Sequence, residues 1–392
     1  MKLISQDHLD LNQKILLLRL DLNVPLKNQI IQDFNRIDKI LPTIKFLLKK
    51  KAKIILISHV GRPDGEKKLE FSLKPICEDL KVKLSENIRL IDENIFKIAK
   101  SNIFKENEKI VMLENIRFYK EEEQNDDNFS KKLASLGDIY INEAFSCSHR
   151  NHASVSNITK HIESYAGINL NLELEALKKI TLNITKPITC IVGGSKISTK
   201  IKLIKNLITK FNNIIIVGGM ANNIIKFKGY EIGKSLYEKN CDKTVEEIFS
   251  LGKENNCNIL FPEDVCVGKN LNDFPQNKDL KSINKDDLIL DIGPETLKKI
   301  ISYIRNSKTV LWNGPAGYFE NENFSTGSFE LAKEISNQSK HGNIFSVAGG
   351  GDTVAVINKL KIAKNFNFVS TAGGAFLEYL EGKVLPGIKA LN

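Results

Sequence analysis

The sequence predicts an α/β protein of two halves, each a parallel sheet covered by helices, and three observations lead there. Apolar strand-like runs alternate with amphipathic helical patterns along the chain, the form that strand–helix–strand units take in sequence. The runs of the first half end in polar or charged residues, whereas those of the second end in glycine. The length, 392 residues, suits two or three domains of about 150 residues each.

In the first half the runs span 14–25, 52–63, 108–118 and 138–145, and a helical pattern opens near Arg36. In the second they span 187–196, 212–222, 308–317, 343–353 and 367–376. Between the halves, 172–183 reads as a helix with apolar residues at 172, 174, 177 and 180, which places a boundary near residue 170. Apolar residues make up 42% and charged residues 27%, a soluble composition that excludes a disordered or fibrous chain. No run reaches the ~18 apolar residues of a membrane helix, and Asp7, His8 and Asp10 interrupt a signal-peptide reading. A cytosolic protein with no membrane partner is expected. The net charge of +10 comes largely from scattered lysines such as Lys49, Lys50 and Lys51, so it does not by itself indicate nucleic acid. Six cysteines without a C-x-x-C pair fit reduced thiols. Cys147, His149 and His152 have a spacing that suits zinc but lack a nearby fourth ligand, so a loop is expected there.

Parallel sheets bind ligands beyond the carboxyl ends of their strands, so the two kinds of strand end predict two chemistries. The first half presents Asp21, Asn23, His59, Arg62, Arg117 and Arg150, joined by Arg36 at a helix start. An arginine there opposes the helix dipole unless an anion compensates it, and the set suits a small, multiply charged anion. The second half offers glycine turns at Gly193 and Gly194, Gly218 and Gly219, Gly349 to Gly351, and Gly373 and Gly374, where backbone N–H groups can approach a nucleotide phosphate. Lys196 and Lys200, four apart, are expected to meet one anion from a first helical turn. Asp352 is either a helix N-cap or a carboxylate ligand for the magnesium carried by a nucleotide. The segment 228–235 falls one residue short of a P-loop and reads as a turn. No G-x-G-x-x-G follows a strand, which argues against the alternative of an NAD-dependent α/β dehydrogenase.

The ordered stretches SHVGRP (58–63), LENIRFYKEEE (113–123), NEAFSCSHRNHAS (142–154), GGSKISTK (193–200), VLWNGPAGYFE (310–320), GGGDT (349–353) and STAGGA (370–375) resemble the phosphoglycerate kinase family. That resemblance implies two doubly wound parallel-sheet lobes of similar size joined by an interdomain helix and hinge. The lobes would be residues 1–170, binding phosphoglycerate, and 171–375, binding nucleotide, with a tail over 376–392 packing back on the first. It implies a cytoplasmic glycolytic phosphotransferase, expected as a monomer, that moves a phosphoryl group between 1,3-bisphosphoglycerate and ADP to give 3-phosphoglycerate and ATP with Mg2+. Asp21, Asn23, Arg36, His59, Arg62, Arg117 and Arg150 would hold the phosphoglycerate. Lys196 and Lys200 would contact nucleotide phosphates and the group in transit, with Arg36 as the third catalytic residue. Asn313 would touch a nucleotide phosphate, Glu320 the ribose, and Gly350, Gly351, Asp352 and Thr353 the phosphates and metal, while Gly218, Gly219 and Met220 would line the adenine pocket. Three departures stand out: Glu143 where the family commonly has Asp, Ala372 for a glycine, and a polar GINLNLEL segment. With a carboxylate nucleophile already ionised at neutral pH, no general base is required, and the work left is positioning and charge neutralisation.

Overall fold

The computed structural model describes residues 1–6 and 9–392, so Asp7 and His8 lie outside the described residues. The chain forms two compact units, Met1–Leu174 with Val384–Asn392, and Glu175–Lys383. In the first, β1 (Ile15–Arg19) leads into a hairpin of β2 (Leu26–Lys27) and β3 (Ile30–Ile31), followed by β4 (Lys53–Ile57), β5 (Ile88–Ile91), β6 (Ile110–Leu113), β7 (Ile139–Asn142) and β8 (Ser164–Ala166). Outside the hairpin, these strands make one parallel sheet in the order β5-β6-β4-β1-β7-β8. Leu16 and Leu18 of β1 pack with Ile54, Leu56 and Met112 on one face, while Leu17 packs with Ile55, Ile57 and Val111 on the other. Burial on both faces is why the run is apolar throughout rather than alternating.

The second unit contains β9 (Ile188–Val192), β10 (Asn213–Ile216), β11 (Asn258–Leu260), β12 (Asp264–Gly268), β13 (Gln276–Asp279), β14 (Leu288–Ile292), β15 (Thr309–Asn313), β16 (Phe345–Gly349) and β17 (Phe368–Ser370). A parallel sheet runs β11-β10-β9-β15-β16-β17, and a separate antiparallel sheet runs β13-β12-β14. All nine apolar runs are strands of the two parallel sheets. The antiparallel sheet was not anticipated, because β13 reads QNKD and buries none of its residues.

Three expectations need correction. The connecting helix is Ile168–Thr181, beginning before 172, and Leu172 is 54% exposed, while Leu170, Leu174, Leu177 and Ile180 are buried. The division between units falls inside that helix, between Leu174 and Glu175, rather than at 170. Residues 376–383 do not return to the first unit. Phe376 is fully buried in the second, where a side chain at Gly349 would press on its ring, and Asn206 donates 2.6 Å to the Leu380 carbonyl. Only Val384–Asn392 joins the first unit, where the Gly387 N–H donates 2.8 Å to the Ser148 carbonyl. The segment 228–235 is a turn, as expected. No described helix is long and apolar enough to cross a membrane.

Candidate active site

In the first unit the expected basic residues gather at the carboxyl edge of the parallel sheet. Asp21 and Asn23 follow β1, His59 and Arg62 follow β4, Arg117 lies in the turn Ile116–Phe118 after β6, and Arg150 lies in the loop after β7. Arg36 occupies the first turn of the helix Asn35–Lys49, as expected, and reaches Asp21 at 2.7 Å. The same carboxylate accepts from the Ser146 hydroxyl at 2.5 Å, so the loop after β7 is tied to the end of β1. Asn23 accepts the Gly61 N–H at 2.9 Å, and Arg117 donates to the Gly61 carbonyl at 3.0 Å, which fixes the turn that carries the exposed Arg62. Burial, and then the neighbouring Arg19 and Arg150 charges, pull the Arg117 pKa below the usual guanidinium value. His152 is pushed down to about 3 by burial and by Arg117 and Arg19. At both groups burial and the neighbouring cations disfavour the charged form.

Sequence reasoning missed the layer beneath. Arg19 is fully buried, donates to the Ser154 hydroxyl at 2.9 Å and to the Leu20 carbonyl at 2.5 Å, and lies 3.2 Å from His59 Nδ1. Glu122, also fully buried, accepts from the Ser154 N–H at 2.8 Å and its hydroxyl at 2.6 Å. A charged residue closing the apolar run ILLLR was the available signal. Cys147 sits in a buried turn 3.9 Å from Arg19, and His152 Nδ1 lies 3.8 Å from Glu122, so the C-x-H-x-x-H segment is part of this polar layer.

The second sheet, numbered by its strands in chain order, runs 3-2-1-4-5-6, so its topological switch point lies between β9 and β15, where open α/β sheets place their ligand crevice. The turns after those strands meet backbone to backbone. A methyl at Gly193 would collide with the Pro315 carbonyl, and one at Gly314 with the Gly193 carbonyl. Gly193→Ala is accordingly expected to destabilise the protein by about 2 kcal/mol or more, read by thermal unfolding. An unchanged melting temperature would contradict this packing.

Lys200 lies at the same point. Its ammonium donates to the Gly193 carbonyl at 2.6 Å, the Asn313 carbonyl at 3.0 Å and Asn313 Oδ1 at 2.6 Å, and burial lowers its pKa to about 8. The helix that follows starts at Ile201, with Lys200 as its cap residue, and Lys196 is exposed in the irregular segment before it. The expected pairing of the two lysines on one helical turn is therefore corrected: the loop keeps them apart in conformation, one turned inward and one solvated. Asn313 is buried and used at both ends, since its Nδ2 also donates to the Gly349 carbonyl at 2.6 Å. Thr353 is equally engaged, accepting the Gly314 N–H at 2.7 Å.

A cavity of about 300 Å³ opens from this point, lined by Gly194, Gly218, Gly219, Tyr318, Glu320 and Asp352, with an apolar wall of Val265, Ile289 and Leu290 supplied by the antiparallel sheet. Met220 is not part of the lining. It is fully buried, its N–H donates 2.8 Å to the Gly194 carbonyl, and Ala221 and Asn222 line the cavity beside the glycines. Asp352 is not the N-cap of its helix, a position taken by Gly350 with φ 101°. It stands exposed in the first turn of Gly351–Lys359 at the cavity wall. An exposed carboxylate on the wall of this cavity suits Mg2+, which takes one or two protein carboxylates and draws its other ligands from phosphate and water.

Comparison with known proteins identifies the family. The family model for phosphoglycerate kinase matches residues 6–383. A phosphoglycerate kinase of Wolbachia pipientis wMel is 45% identical, covering 100% of this chain and 99% of its own, and one of Wolbachia pipientis subsp. Culex pipiens (strain wPip) is 46% identical over 98% of each. Among solved structures, phosphoglycerate kinase from Coxiella burnetii superposes with a TM-score of 0.90 at 38% identity, covering 98% of this chain and 97% of its own. That from Pyrococcus horikoshii gives 0.83 at 27% identity over 100% and 98%. With the family model matching residues 6–383 and a relative 45% identical over the whole chain, the chain belongs to the phosphoglycerate kinase family, whose members are phosphotransferases with a carboxyl acceptor.

Proposed function

We propose that the first unit holds 3-phosphoglycerate or 1,3-bisphosphoglycerate through Asp21, Asn23, Arg36, His59, Arg62, Arg117 and Arg150, and that the crevice of the second holds Mg-ADP or Mg-ATP. The observation that carries this reading is the collection of four arginines at the carboxyl edge of one sheet, set against a glycine-lined crevice and a half-buried lysine at the switch point of the other. Arg36 and Lys200 neutralise charge on the equatorial oxygens of a loose transition state, and Lys196 steers the nucleotide phosphates from its exposed position. Asn313 acts by orienting Lys200, Glu320 meets the ribose, and the N-terminus of Gly351–Lys359 faces the phosphates. Asp352 would hold Mg2+, which when bound would supply charge neutralisation for the nucleotide phosphates. The acceptor carboxylate needs no base, so the protein's task is to bring two bound substrates into line and exclude water. A coupled assay for ATP formation from ADP and 1,3-bisphosphoglycerate tests the reading, and no turnover by folded protein would sink it.

Asp352→Asn separates the metal role from a merely structural one. An amide in a helical first turn is tolerated nearly as well as a carboxylate, whereas a metal ligand loses its charge. The expected result is a right-shifted magnesium titration and a kcat reduced by roughly tenfold or more. Superimposable titrations with equal plateaus would remove Asp352 from the metal site.

A further inference from the structure

His59 stands two residues beyond Ile57, the strand partner of Arg19, and its ring is 3% exposed. Arg19 approaches its Nδ1 at 3.2 Å. A guanidinium has five N–H donors and no acceptor, so Nδ1 must offer a lone pair. The geometry points to Arg19 as a positioning residue that fixes His59 in the neutral Nε2–H tautomer, so that the ring gives the phosphoglycerate one directed hydrogen bond and no charge. The substrate half of this inference rests on His59 being a phosphoglycerate ligand.

Arg19 is built to hold that orientation. Its Nε donates to Ser154, its Nη1 to the Leu20 carbonyl, and the Ser154 hydroxyl passes on to the buried Glu122 carboxylate, which supplies countercharge through one intervening side chain. Burial first, then the Arg19, Arg117 and Arg36 charges, hold His59 well below the usual imidazole value. The second ring nitrogen, Nε2, forms no hydrogen bond among the described residues and is left for ligand. Positive charge is already provided by Arg36, Arg62, Arg117 and Arg150. A further cation would be repelled by them, whereas a neutral donor adds direction.

The test is long-range 1H–15N correlation on the full chain with 15N-labelled histidine at pH 7, the His59 signals being those lost in His59→Gln. The expected spectrum shows protonated Nε2 and bare Nδ1 without averaging. An Nδ1–H ring, averaged tautomers or a doubly protonated ring would overturn the assignment. In Arg19→Met with Glu122→Gln, paired so that no buried carboxylate loses its countercharge, the tautomers should average. A single retained Nε2–H tautomer in the folded double variant would overturn the role of Arg19, and the wild-type spectrum remains decisive where the variant does not fold. Kinetically, Gln places its amide nitrogen near Nε2 and Asn near Nδ1. His59→Gln should raise KM for 3-phosphoglycerate roughly threefold and His59→Asn on the order of thirtyfold. Equal effects would overturn Nε2 as the donor. Failure of 3-phosphoglycerate to shift the Nε2 signals would overturn His59 as a ligand while leaving the tautomer assignment standing.

Discussion

Arg36→Ala should lower kcat by two to three orders of magnitude while leaving the ADP affinity of the protein nearly unchanged. The guanidinium belongs to the first unit, where it is held by Asp21 at 2.7 Å, and the nucleotide crevice lies in the second. Removing one charge-assisted contact to a transferring phosphoryl group costs about 3 to 4 kcal/mol of transition-state stabilisation, and each 1.36 kcal/mol is about tenfold in rate. The ion pair with Asp21 sharpens the expectation. In the substrate-free protein it aims Arg36, and its own strength is modest because both partners are partly exposed. The variant should therefore fold with little change in melting temperature, which separates a catalytic loss from a structural one. Steady-state kinetics with calorimetric ADP titration is the check. A loss of ADP affinity parallel to kcat would contradict placement of the two substrates on separate units, and a fall in kcat below tenfold would make Arg36 a substrate-positioning group only.

The candidate site residues that sequence reading singled out are those whose chemistry is unusual for their local position. Arginines at strand and helix ends and glycines after apolar runs stand out because no local rule explains them, and they fall at the carboxyl edges of the two sheets. What it missed depends on tertiary neighbours. Arg19 reads as the last residue of a strand, and only the approach of Ser154, 135 positions away, makes it a buried framework group. The apolar wall of the crevice comes from β12 and β14, whose partner β13 has no apolar signature. Met220 was expected at the adenine pocket from the family resemblance, yet the helical turn over Gly218–Met220 leaves its side chain buried in the interior. Lys196 and Lys200 have helical spacing, but the irregular loop before Ile201 cancels the geometry that spacing implies. Glu143, noted as a departure from the family's usual Asp, is buried, bonds Thr43 and accepts the N–H groups of Asn169 at 3.0 Å and Leu170 at 3.3 Å at the start of the connecting helix. The longer side chain thus spans to a helix terminus, a role visible only once the helix is known to begin at Ile168.

Lys200→Met should reduce kcat/KM for MgADP by about three orders of magnitude, and Lys200→Arg should change the pH profile rather than abolish activity. The lysine ammonium is hydrogen-bonded to the backbone of the switch point, held by the Gly193 and Asn313 carbonyls, and its loss removes positive charge where nucleotide phosphates would lie. Burial lowers its pKa to about 8, so the group begins to lose its proton within reach of ordinary assays. The sign follows from which form works. The ammonium neutralises phosphate, and the neutral amine does not, so activity is retained below the pKa and lost above it. Because kcat/KM reports the free enzyme, its alkaline limb should fall with an apparent pKa near 8. Bound phosphates favour the charged form, so the corresponding limb of kcat should lie at higher pH. Arginine stays protonated throughout, and the Arg variant should lose the limb in kcat/KM even if its absolute rate falls. Profiles from pH 6 to 10 on wild type and both variants decide the matter. A limb near pH 8 that persists unchanged in Lys200→Arg would assign it to another group and remove Lys200 from the transfer step.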